Sequence, residues 1–491
     1  MNILIASAEA APYAKAGGLA DVVAYLPVEW QKLGQNPVLI IPKYASIDTA
    51  YYGFKPTYLV LYVPMGNWTE FAHLWHGYFP GSKTPVYLIE NNDYFNRPGI
   101  YGDPYEYLDN DRRFVFFSRA VFEAAKAINF YPDVINAHDY HAAFTMAFLK
   151  SQYRYIKRFS STAGVFTIHN LAYQGKFNPN RAMLFSGFGM EQAYTNSWFE
   201  YQGAVNAMKT GIMFADKITT VSPSYSYEIR RAEAGEGLEH VLNSKSGDLI
   251  GILNGVDYNV WHPATDNLIY KKYSINTLSD KKLNKISFLK ERGIDDEDNY
   301  EIPLFGMVTR LTHQKGIDLL MGCIESYLAE NKIRLTILGS GEQNYIDYFN
   351  YLAWKYPKNV MVYIGYSEWL AHRVIAGSDF FLLPSRFEPC GLTQMYALKY
   401  GTLPIVRSTG GLADTVHEYI PGTGEGTGFN FWQFSSDDMS YAMRRALYIY
   451  NNQPHWDLAR TNAMKEDFSS RKSALEYIKV FQWAIEKVRG I

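Results

Sequence analysis

The stretch Gly17-Gly-Leu-Ala-Asp21 follows an apolar run at residues 3–8 and opens a segment with helical spacing. The same five residues return as Gly410-Gly-Leu-Ala-Asp414, after an apolar run at residues 403–406. Glycine at a strand–helix junction lets backbone N–H groups approach a ligand, and the start of the helix favours an anion. One such turn is more often ordinary geometry. Two copies in opposite halves predict two loops that face a shared anionic ligand across a cleft.

Apolar runs alternate with amphipathic helical stretches along the whole chain. Several runs are continuous, as expected of parallel strands covered by helices on both faces. The alternation predicts an α/β fold with doubly wound parallel sheets, in which ligands bind beyond the carboxyl ends of the strands. The predicted strands are residues 3–8, 37–41, 86–89, 134–137, 164–168 and 217–221 in the first half, and residues 304–308, 334–338, 360–364, 380–383 and 403–406 in the second.

Length and turn signals predict two domains. A chain of 491 residues fits two domains of about 200–250 residues better than one core. Asn254-Gly255 is a turn signal, and Pro263 ends the local pattern soon after it. The predicted domains are residues 1–253 and residues 254–465, followed by a final helix within residues 466–491.

Composition excludes several classes of function. The 47 basic and 49 acidic residues give a net charge of −2, so there is no basic excess for binding nucleic acid. Two cysteines, Cys323 and Cys390, cannot form a disulfide framework and are typical of a reducing compartment. Residues 1–10 lack the basic start and cleavage site of a signal peptide, and no apolar stretch is long enough to span a membrane. These features predict a cytoplasmic protein.

Three motifs carry charges that suit a sugar nucleotide. Lys15 precedes the first glycine pair, and Arg310 and Lys315 follow the strand at residues 304–308. Arginine binds a phosphate through two parallel N–H donors, and lysine adds a mobile charge. We therefore expect Lys15, Arg310 and Lys315 to form a diphosphate clamp rather than to be solvated surface residues. Glu388 follows another strand, where its carboxylate could bind a sugar hydroxyl or stabilise positive charge.

Two histidine motifs also follow predicted strands. His138-Asp139-Tyr140-His141 has a spacing that metal ligands can use, but no further cluster accompanies it, and we favour a polar turn lining the cleft. His169 is either a satisfied core residue or a hydrogen-bond partner for substrate. Asp-x-Asp-like spacings at residues 109–111 and 295–298 lie in ordinary polar surroundings. We therefore predict no metal.

Taken together, these strings resemble the bacterial glycogen synthase and plant starch synthase family, and the resemblance runs from residue 2 to beyond residue 480. The strings that carry it are Lys-Ala-Gly-Gly-Leu-Ala-Asp-Val from Lys15, Arg-Pro-Gly-Ile-Tyr-Gly from Arg97, His-Asp-Tyr-His-Ala-Ala from His138, Thr-Ile-His-Asn-Leu-Ala-Tyr-Gln-Gly from Thr167, Leu-Asn-Gly-Val-Asp from Leu253, Thr-Arg-Leu-Thr-His-Gln-Lys-Gly from Thr309, Pro-Ser-Arg-Phe-Glu-Pro-Cys-Gly-Leu-Thr-Gln from Pro384, and Ser-Thr-Gly-Gly-Leu-Ala-Asp-Thr-Val from Ser408.

The resemblance implies the GT-B arrangement, with two Rossmann-like domains facing across a cleft and a last helix that crosses back to the first. It implies transfer of glucose from ADP-glucose to the non-reducing end of an α-1,4-glucan, with retention of configuration and no metal or other cofactor. The acceptor would be glycogen. Neither nucleic acid nor membrane is an expected partner.

The resemblance also implies roles by position. The basic groups and glycine turns would neutralise the diphosphate, and Tyr366 would stack on the base. The residues around the transferred glucose would be Glu388, His169, Asp139 and Asn254. The catalytic residues implied are Glu388, His169, Arg310, Lys315 and Asp139. The donor-binding residues implied are Lys15, Gly17, Gly18, Asp21, Asn254, Tyr366, Cys390, Gly391, Leu392, Thr409, Gly410 and Gly411.

The residues also suggest a hypothesis for the mechanism. No carboxylate pair can be identified as the acid and nucleophile of a two-step retaining enzyme, and Tyr396 stands where many retaining GT-B enzymes carry a second glutamate. We therefore expect the leaving phosphate to take the acceptor's proton on the same face of the sugar.

Other interpretations stay open. A UDP-glucose-using glucan synthase, or a synthase that forms sucrose phosphate or trehalose phosphate, would keep the fold. A glucan phosphorylase would need a lysine-bound pyridoxal cofactor, which nothing in the sequence marks. A non-catalytic glucan-binding protein would be expected to have lost charged residues of the clamp, and Lys15, Arg310, Lys315 and Glu388 are all present.

Overall fold

The protein is described by a computed structural model covering residues 1–103, 105–295 and 300–490. The chain forms two compact units. Met1–Gly255 and the residues from Ser470 onward make up the first, and Val256–Ser469 make up the second. The predicted boundaries lie close by, at residues 253/254 and 465/466. Each unit is built on a largely parallel sheet with helices around it, so the predicted α/β, Rossmann-like fold class is confirmed.

The first unit contains twelve described strands. They are β1 Asn2–Ala6, β2 Asn36–Pro42, β3 Lys55–Met65, β4 Trp68–Tyr78, β5 Pro85–Glu90, β6 Val134–His138, β7 Ala163–Ile168, β8 Lys176–Phe177, β9 Glu200–Tyr201, β10 Ala204–Asn206, β11 Lys217–Thr220 and β12 Leu249–Gly251. Nine form one sheet in the order β12-β11-β7-β6-β1-β2-β5-β4-β3, and β8, β10 and β9 form a small second sheet. In the large sheet, β4 is antiparallel to both of its neighbours, β3 and β5, and the other neighbouring strands are parallel.

Ten described α-helices surround these sheets. They are α1 Gly18–Lys32, α2 Asn92–Phe95, α3 Asn110–Ala127, α4 Asp139–Ala142, α5 Phe144–Lys150, α6 Pro179–Ser186, α7 Ala207–Phe214, α8 Pro223–Glu228, α9 Glu239–Ser244 and the C-terminal helix Ser470–Arg489, with short 3-10 turns at Met190–Gln192 and Ser246–Asp248. In β1, every residue after Asn2 is buried, and the strand lies in the middle of the sheet under helices.

The C-terminal helix packs on the first unit. The buried Trp30 of α1 donates its indole N–H to the Ala474 carbonyl at 3.1 Å, and its ring lies 5.0 Å from Phe481. Lys487 forms an ion pair with Asp248 at 2.7 Å. The helix therefore joins the first unit, although the second unit precedes it in the chain.

The second unit contains a six-stranded, fully parallel sheet in the order β15-β14-β13-β16-β17-β18. Its strands are β13 Leu304–Val308, β14 Arg334–Gly339, β15 Val360–Ile364, β16 Phe380–Leu383, β17 Leu403–Arg407 and β18 Phe429–Phe431. Its helices are α10 Lys281–Glu291, α11 Ile317–Met321, α12 Ile324–Ala329, α13 Gln343–Lys355, α14 Glu368–Gly377, α15 Thr393–Lys399, α16 Gly410–Thr415, α17 Ser436–Tyr450 and α18 Gln453–Lys465, with 3-10 turns at Ile275–Asp280 and His313–Lys315.

All eleven strands predicted from apolar runs are present, within about two residues at their ends. The prediction missed the antiparallel hairpin of β3 and β4, whose exposed face breaks the continuous apolar pattern. It also missed β8, β9, β10, β12 and β18, each of two or three residues. None of the helices that the structure describes is long and apolar enough to cross a membrane.

Candidate active site

Asp139 and His169, both predicted from sequence, meet at the carboxyl ends of two neighbouring strands in the first unit. β6 ends at His138, and His169 directly follows β7. The His169 N–H donates to Asp139 Oδ1 at 2.7 Å, and His138 Nδ1 lies 2.9 Å from His169 Nε2. Asp139 has a φ of +53°, in the left-handed region that non-glycine residues rarely adopt. The strained backbone at Asp139 is held in place by these contacts, which join the two strand ends into one polar cluster.

Burial decides the charge of this cluster. It lowers the pKa of His169 to about 3 and, with the neighbouring His169, holds the pKa of His138 well below its usual value. Burial raises the pKa of Asp139 to about 7, although N–H groups of His169 and Asn170 act in the opposite direction. Both imidazoles are therefore neutral at pH 7. A neutral imidazole can hydrogen-bond a sugar hydroxyl, which fits one of the two roles predicted for His169.

The first glycine pair lies beside an internal anion. Glu9, which follows β1 and is buried, accepts the Ala16 N–H at 2.6 Å and the Gly17 N–H at 2.9 Å through Oε2. The Tyr101 hydroxyl donates to its other oxygen, Oε1. In this structure a protein carboxylate therefore accepts the Gly17 N–H, and the role of the Gly17-Gly18 turn in donor binding stays a prediction.

Gly17 and Gly18 are nevertheless open to an approaching molecule. A Cβ built at either position would have no described atom within 4 Å. Packing inside the protein therefore gives no reason for glycine at residues 17 and 18. Lys15 beside them forms an ion pair with Asp21 at 2.6 Å, with side chains 47% and 32% exposed. A surface pair of this kind contributes little stability, so Lys15 can exchange partners readily.

Asn254 lies in the buried turn that closes the first unit. Its side-chain Oδ1 is buried and has no hydrogen-bond partner among the described residues. The next residue, Gly255, donates its N–H to the Tyr25 hydroxyl at 2.6 Å. A buried amide oxygen without a partner is costly, and a substrate hydroxyl could satisfy it.

In the second unit, Lys315 and Glu388 are brought together. Lys315 lies in the 3-10 turn after β13, and Glu388 lies in the loop after β16. Lys315 Nζ lies 2.5 Å from Glu388 Oε2, and Ser385 Oγ donates to the same oxygen at 3.0 Å. Glu388 is 7% exposed. Arg310, at the end of the same strand, is exposed to solvent.

The second glycine pair packs on the loop that carries Glu388. Gly410 has a φ of +46°, and a Cβ there would lie 2.0 Å from the Glu388 carbonyl oxygen. A Cβ at Gly411 would lie 2.1 Å from the Cys390 carbonyl oxygen. The Gly411 N–H donates to the Glu388 carbonyl at 3.1 Å. Glycine is therefore required here for loop packing, the ordinary geometric role, whatever else the turn does.

The remaining donor-side residues surround this loop. Cys390 and Thr409 are buried, Gly391 has a φ of +71°, and Leu392 caps α15. The buried Gln394 amide donates to the Cys390 and Gly391 carbonyls at 2.9 and 3.2 Å, and so fixes the loop. Tyr366 lies before α14 with 73% of its surface exposed, as a base-stacking ring would require.

The two carboxylates of the first metal-like spacing, Asp109 and Asp111, bind arginines. Arg97 donates to both oxygens of Asp109 at 2.7 Å, and Arg181 donates to both oxygens of Asp111 at 2.7 and 2.9 Å. Within residues 1–103, 105–295 and 300–490, no group of three or more His, Cys, Asp or Glu side chains could hold a metal ion. Of the second spacing, residues 296–298 lie outside the described residues.

Comparison with known proteins identifies the family. Residues 2–244 match the family described as starch synthase catalytic domain, and residues 291–457 match glycosyl transferases group 1. A glycogen synthase from Bacillus cereus is 41% identical over 486 residues, covering 99% of this chain and 100% of that protein. Glycogen synthase 1 from Geobacter sulfurreducens is 42% identical over 494 residues, covering 100% and 98%.

The chain belongs to the glycogen synthase family. The resemblance inferred from the motifs is thereby confirmed. The catalytic domain of starch synthase IV from Arabidopsis thaliana, bound to ADP and acarbose, superposes with a TM-score of 0.88 and 33% identity over 99% of each chain. Sucrose-phosphate synthase from Thermosynechococcus elongatus, at 16% identity and a TM-score of 0.59 over 98% of each chain, shares the fold alone.

Within this family fold, sequence reasoning missed the residues that hold the predicted ones. Glu9, Ser385 and Gln394 bind site loops through hydrogen bonds. His138, which the sequence placed in a polar turn lining the cleft, contacts His169, a pairing that was not predicted. Glu9 and His138 each lie at or just after a predicted strand, which was the available signal. Ser385 and Gln394 stood inside a quoted motif without an assigned role.

Proposed function

We propose that the protein is a glycogen synthase that transfers glucose from ADP-glucose to the 4-hydroxyl at the non-reducing end of an α-1,4-glucan. The observation that carries the proposal is the similarity to two bacterial glycogen synthases over the whole chain. The ADP bound to the Arabidopsis relative supports an adenine nucleotide donor. A cytoplasmic location, predicted from the sequence, belongs to the same proposal.

In this proposal the second unit binds the donor. Arg310 and Lys315 neutralise phosphate oxygens, because charge-assisted hydrogen bonds stabilise the negative charge that grows on the leaving group. Tyr366 stacks on the base, and the Gly410-Gly411 turn lies behind the Glu388 loop. Glu388 binds the glucose that is transferred, with its carboxylate oriented by Lys315 and Ser385.

The first unit supplies buried polar groups. His169, Asp139 and Asn254 are buried side chains at strand ends or in turns, and they would hydrogen-bond hydroxyls of the transferred glucose. Lys15, Gly17 and Gly18 stay assigned to phosphate binding on the basis of the motif, and Asp21 stays assigned to the donor site. The transfer needs no metal in this proposal, because the basic side chains carry the charge.

Retention follows from a same-face reaction. The bond from C1 of glucose to the phosphate oxygen breaks, and its electron pair stays on the phosphate. The acceptor 4-hydroxyl oxygen forms the new bond to C1 on the same face, and its proton passes to the departing phosphate oxygen. Support comes from position 396, where Tyr396 stacks on Trp261 at 4.1 Å and supplies no second carboxylate. Trapping a covalent glucosyl–protein adduct with a slow donor would refute this mechanism.

The first experiment measures nucleoside diphosphate release from ADP-glucose and from UDP-glucose, each with and without glycogen. Glycogen-dependent release with a strong preference for ADP-glucose is the expected result. A preference for UDP-glucose would keep the reaction and change the donor. Absence of glycogen-dependent release from either donor would refute the proposed function.

A further inference from the structure

A groove of about 560 Å³ opens in the second unit between α12 and α17. Its volume lies within the range of about 300–1,000 Å³ that small-molecule sites occupy. Pro303 lines it directly before β13 begins, and Lys332 lines it shortly before β14 begins. Lys315 and Glu388 follow the other ends of β13 and β16. Because these strands are parallel, the groove and the candidate active-site residues lie at opposite edges of the sheet.

The groove combines an exposed aromatic ring with hydroxyl and amide groups. Tyr448 of α17 is 67% exposed, whereas Tyr327 of α12 is buried. The Tyr327 hydroxyl donates to the Ser440 carbonyl at 3.0 Å and lies 2.8 Å from the Ser440 hydroxyl, a contact that joins the two helices. Ser326 and Asn451 add exposed polar groups to the lining. An exposed tyrosine beside polar side chains suits a sugar, whose ring has C–H faces and an edge of hydroxyls.

The charges around the groove bind one another or other protein groups. Glu330 and Lys332 form an ion pair in which both side chains are more than half exposed. Arg444 donates to the Ser440 hydroxyl at 3.0 Å, and its guanidinium lies 5.7 Å from the centre of the Tyr441 ring. With a single cation in excess, the lining offers little attraction for a phosphate or a nucleic acid. An uncharged, polyhydroxylated ligand fits it better.

The C-terminal half of α13 carries two exposed aromatic rings next to this groove. Trp354 is 77% exposed and Tyr351 is 43% exposed, and their ring centroids lie 6.3 Å apart. They are three residues apart on one helix and therefore lie on the same face. Lys355 forms an ion pair with Glu325 of α12 at 2.6 Å, so this end of α13 packs beside a helix that lines the groove. Tyr351 and Trp354 are called the aromatic pair below.

The surroundings of the aromatic pair are polar. Asn350 is exposed beside it, and Gln343 donates to Asp347 at 2.7 Å earlier on the same helix. Stable protein interfaces bury about 800 Å² per partner around an apolar centre. Two rings among charged and amide side chains are too small an apolar surface for such an interface. They can, however, stack on two sugar units of one chain.

We propose that the groove and the aromatic pair form a glucan-anchoring site, which holds internal glucosyl units of the polymer away from the chain end that reacts. The inference rests on the proposed function and adds a second point of contact with the same polymer. Tyr448 stacks on one glucosyl unit and Trp354 on another. A second contact raises the effective concentration of the first, so anchoring strengthens the binding of a large, branched glucan. A short oligosaccharide occupies one site at a time and gains nothing from the anchor.

The test compares glycogen with maltotriose as acceptor, with ADP-glucose as donor. In Trp354→Ala and in Tyr448→Ala, KM for glycogen rises about three- to tenfold, because each change removes one stacking contact. Neither variant changes kcat, or kcat/KM for maltotriose. Trp354→Phe keeps an aromatic face and retains most of the affinity for glycogen. Trp483→Ala, which removes an exposed tryptophan from the C-terminal helix of the first unit, is the matched control and changes none of these constants.

Gel electrophoresis through glycogen, without donor, gives a readout that does not depend on catalysis. Glycogen retards the wild type, and the retardation is smaller for Trp354→Ala and Tyr448→Ala but not for Trp483→Ala. Unchanged KM for glycogen and unchanged retardation in both variants would overturn the anchoring site. If transfer to maltotriose is intact in that case, the proposed function stands. Absence of transfer by the wild type to either acceptor would refute the function, and the retardation would still decide whether the site binds glucan.

Size-exclusion chromatography tests the other occupant, a second copy of the chain. The anchoring site predicts the same apparent mass for the wild type and Trp354→Ala. A lower apparent mass for Trp354→Ala, with unchanged retardation by glycogen, would assign the aromatic pair to a contact between copies and overturn the proposal.

Discussion

Lys315 Nζ and Ser385 Oγ hold the same oxygen of Glu388, at 2.5 and 3.0 Å. Because both donors bind Oε2, they fix the rotation of the carboxylate and with it the direction of Oε1. Arg310 lies in the same loop region but is exposed. The two basic residues of the predicted clamp therefore differ in what they do for the protein itself.

Replacing these residues should separate catalysis from stability. Lys315→Ala leaves the buried Glu388 carboxylate without its counter-ion, so we expect a lower Tm as well as slower transfer. Arg310→Ala should slow transfer by about tenfold or more with an unchanged Tm, because a charge-assisted contact contributes roughly 1.5–3 kcal/mol. Steady-state rates and thermal unfolding of both variants test this.

The control for this pair is Lys332→Ala. Lys332 forms an ion pair with Glu330 in which both side chains are more than half exposed, so its loss should change neither rate nor Tm. Wild-type rates in both clamp variants would remove the diphosphate assignment. A Tm loss in Arg310→Ala equal to that of Lys315→Ala would contradict the distinction between them.

The two glycine pairs should respond differently to alanine. Gly410→Ala and Gly411→Ala drive a Cβ into the Glu388 and Cys390 carbonyl oxygens, so we expect a loss of at least about 1–3 kcal/mol of unfolding free energy. The Cβ added by Gly17→Ala or Gly18→Ala would have no described atom within 4 Å, so these variants should have the Tm of the wild type. If the donor approaches the first turn, these two variants lose transfer activity while keeping their Tm.

Thermal unfolding and donor KM, measured on all four variants, decide this comparison. Each pair serves as the control for the other, because the pentapeptide is identical. Equal Tm losses in the two pairs would contradict the packing difference. Full activity in Gly17→Ala and Gly18→Ala would remove the first turn from the donor site.

The comparison of motif and structure shows what a sequence can and cannot predict here. Strand ends were predictable, because buried parallel strands are continuous apolar runs, and Asp139, His169 and Glu388 follow them. The contact of Glu9 with Gly17 could not be predicted, since it depends on the path of the loop between them. The role of Gly410 was also hidden, because packing and ligand approach both require a residue without a Cβ.

The C-terminal helix gives a test of the first unit. Trp30 is fully buried, donates to Ala474 and packs edge-on against Phe481. Trp30→Ala should lower the free energy of unfolding by about 3–5 kcal/mol. It should also detach the helix Ser470–Arg489, which limited proteolysis would then cleave. Trp483→Ala, on the same helix but 47% exposed, is the control and should stay resistant. Equal protease sensitivity of the two variants would contradict the docking of this helix through Trp30.

The raised pKa of Asp139 makes a signed prediction for stability. Burial raises this pKa from 3.8 to about 7, so between these pH values the folded protein keeps a proton that the unfolded chain has released. Stability from this group therefore falls as pH rises from about 4 to about 7, by up to roughly 4 kcal/mol. Asp139→Asn cannot ionise and still accepts the His169 N–H. The variant should gain stability relative to the wild type as pH rises from 5 to 7, and the gain should level off above pH 7.

Thermal unfolding of the wild type and Asp139→Asn at pH 5, 6, 7 and 8 measures this difference. His169 has the opposite sign, because its lowered pKa makes stability rise with pH up to about 6.5, but it is present in both proteins and cancels. The control is Asp133→Asn. Burial alone would raise the pKa of Asp133, but the Asn2 N–H and Arg489 outweigh it and lower this pKa, so its effect lies below pH 5. If the Tm difference between Asp139→Asn and the wild type is as independent of pH as that of the control, Asp139 is ionised from pH 5 to pH 8. The proposal that Asp139 belongs to an uncharged, sugar-binding cluster would then be abandoned.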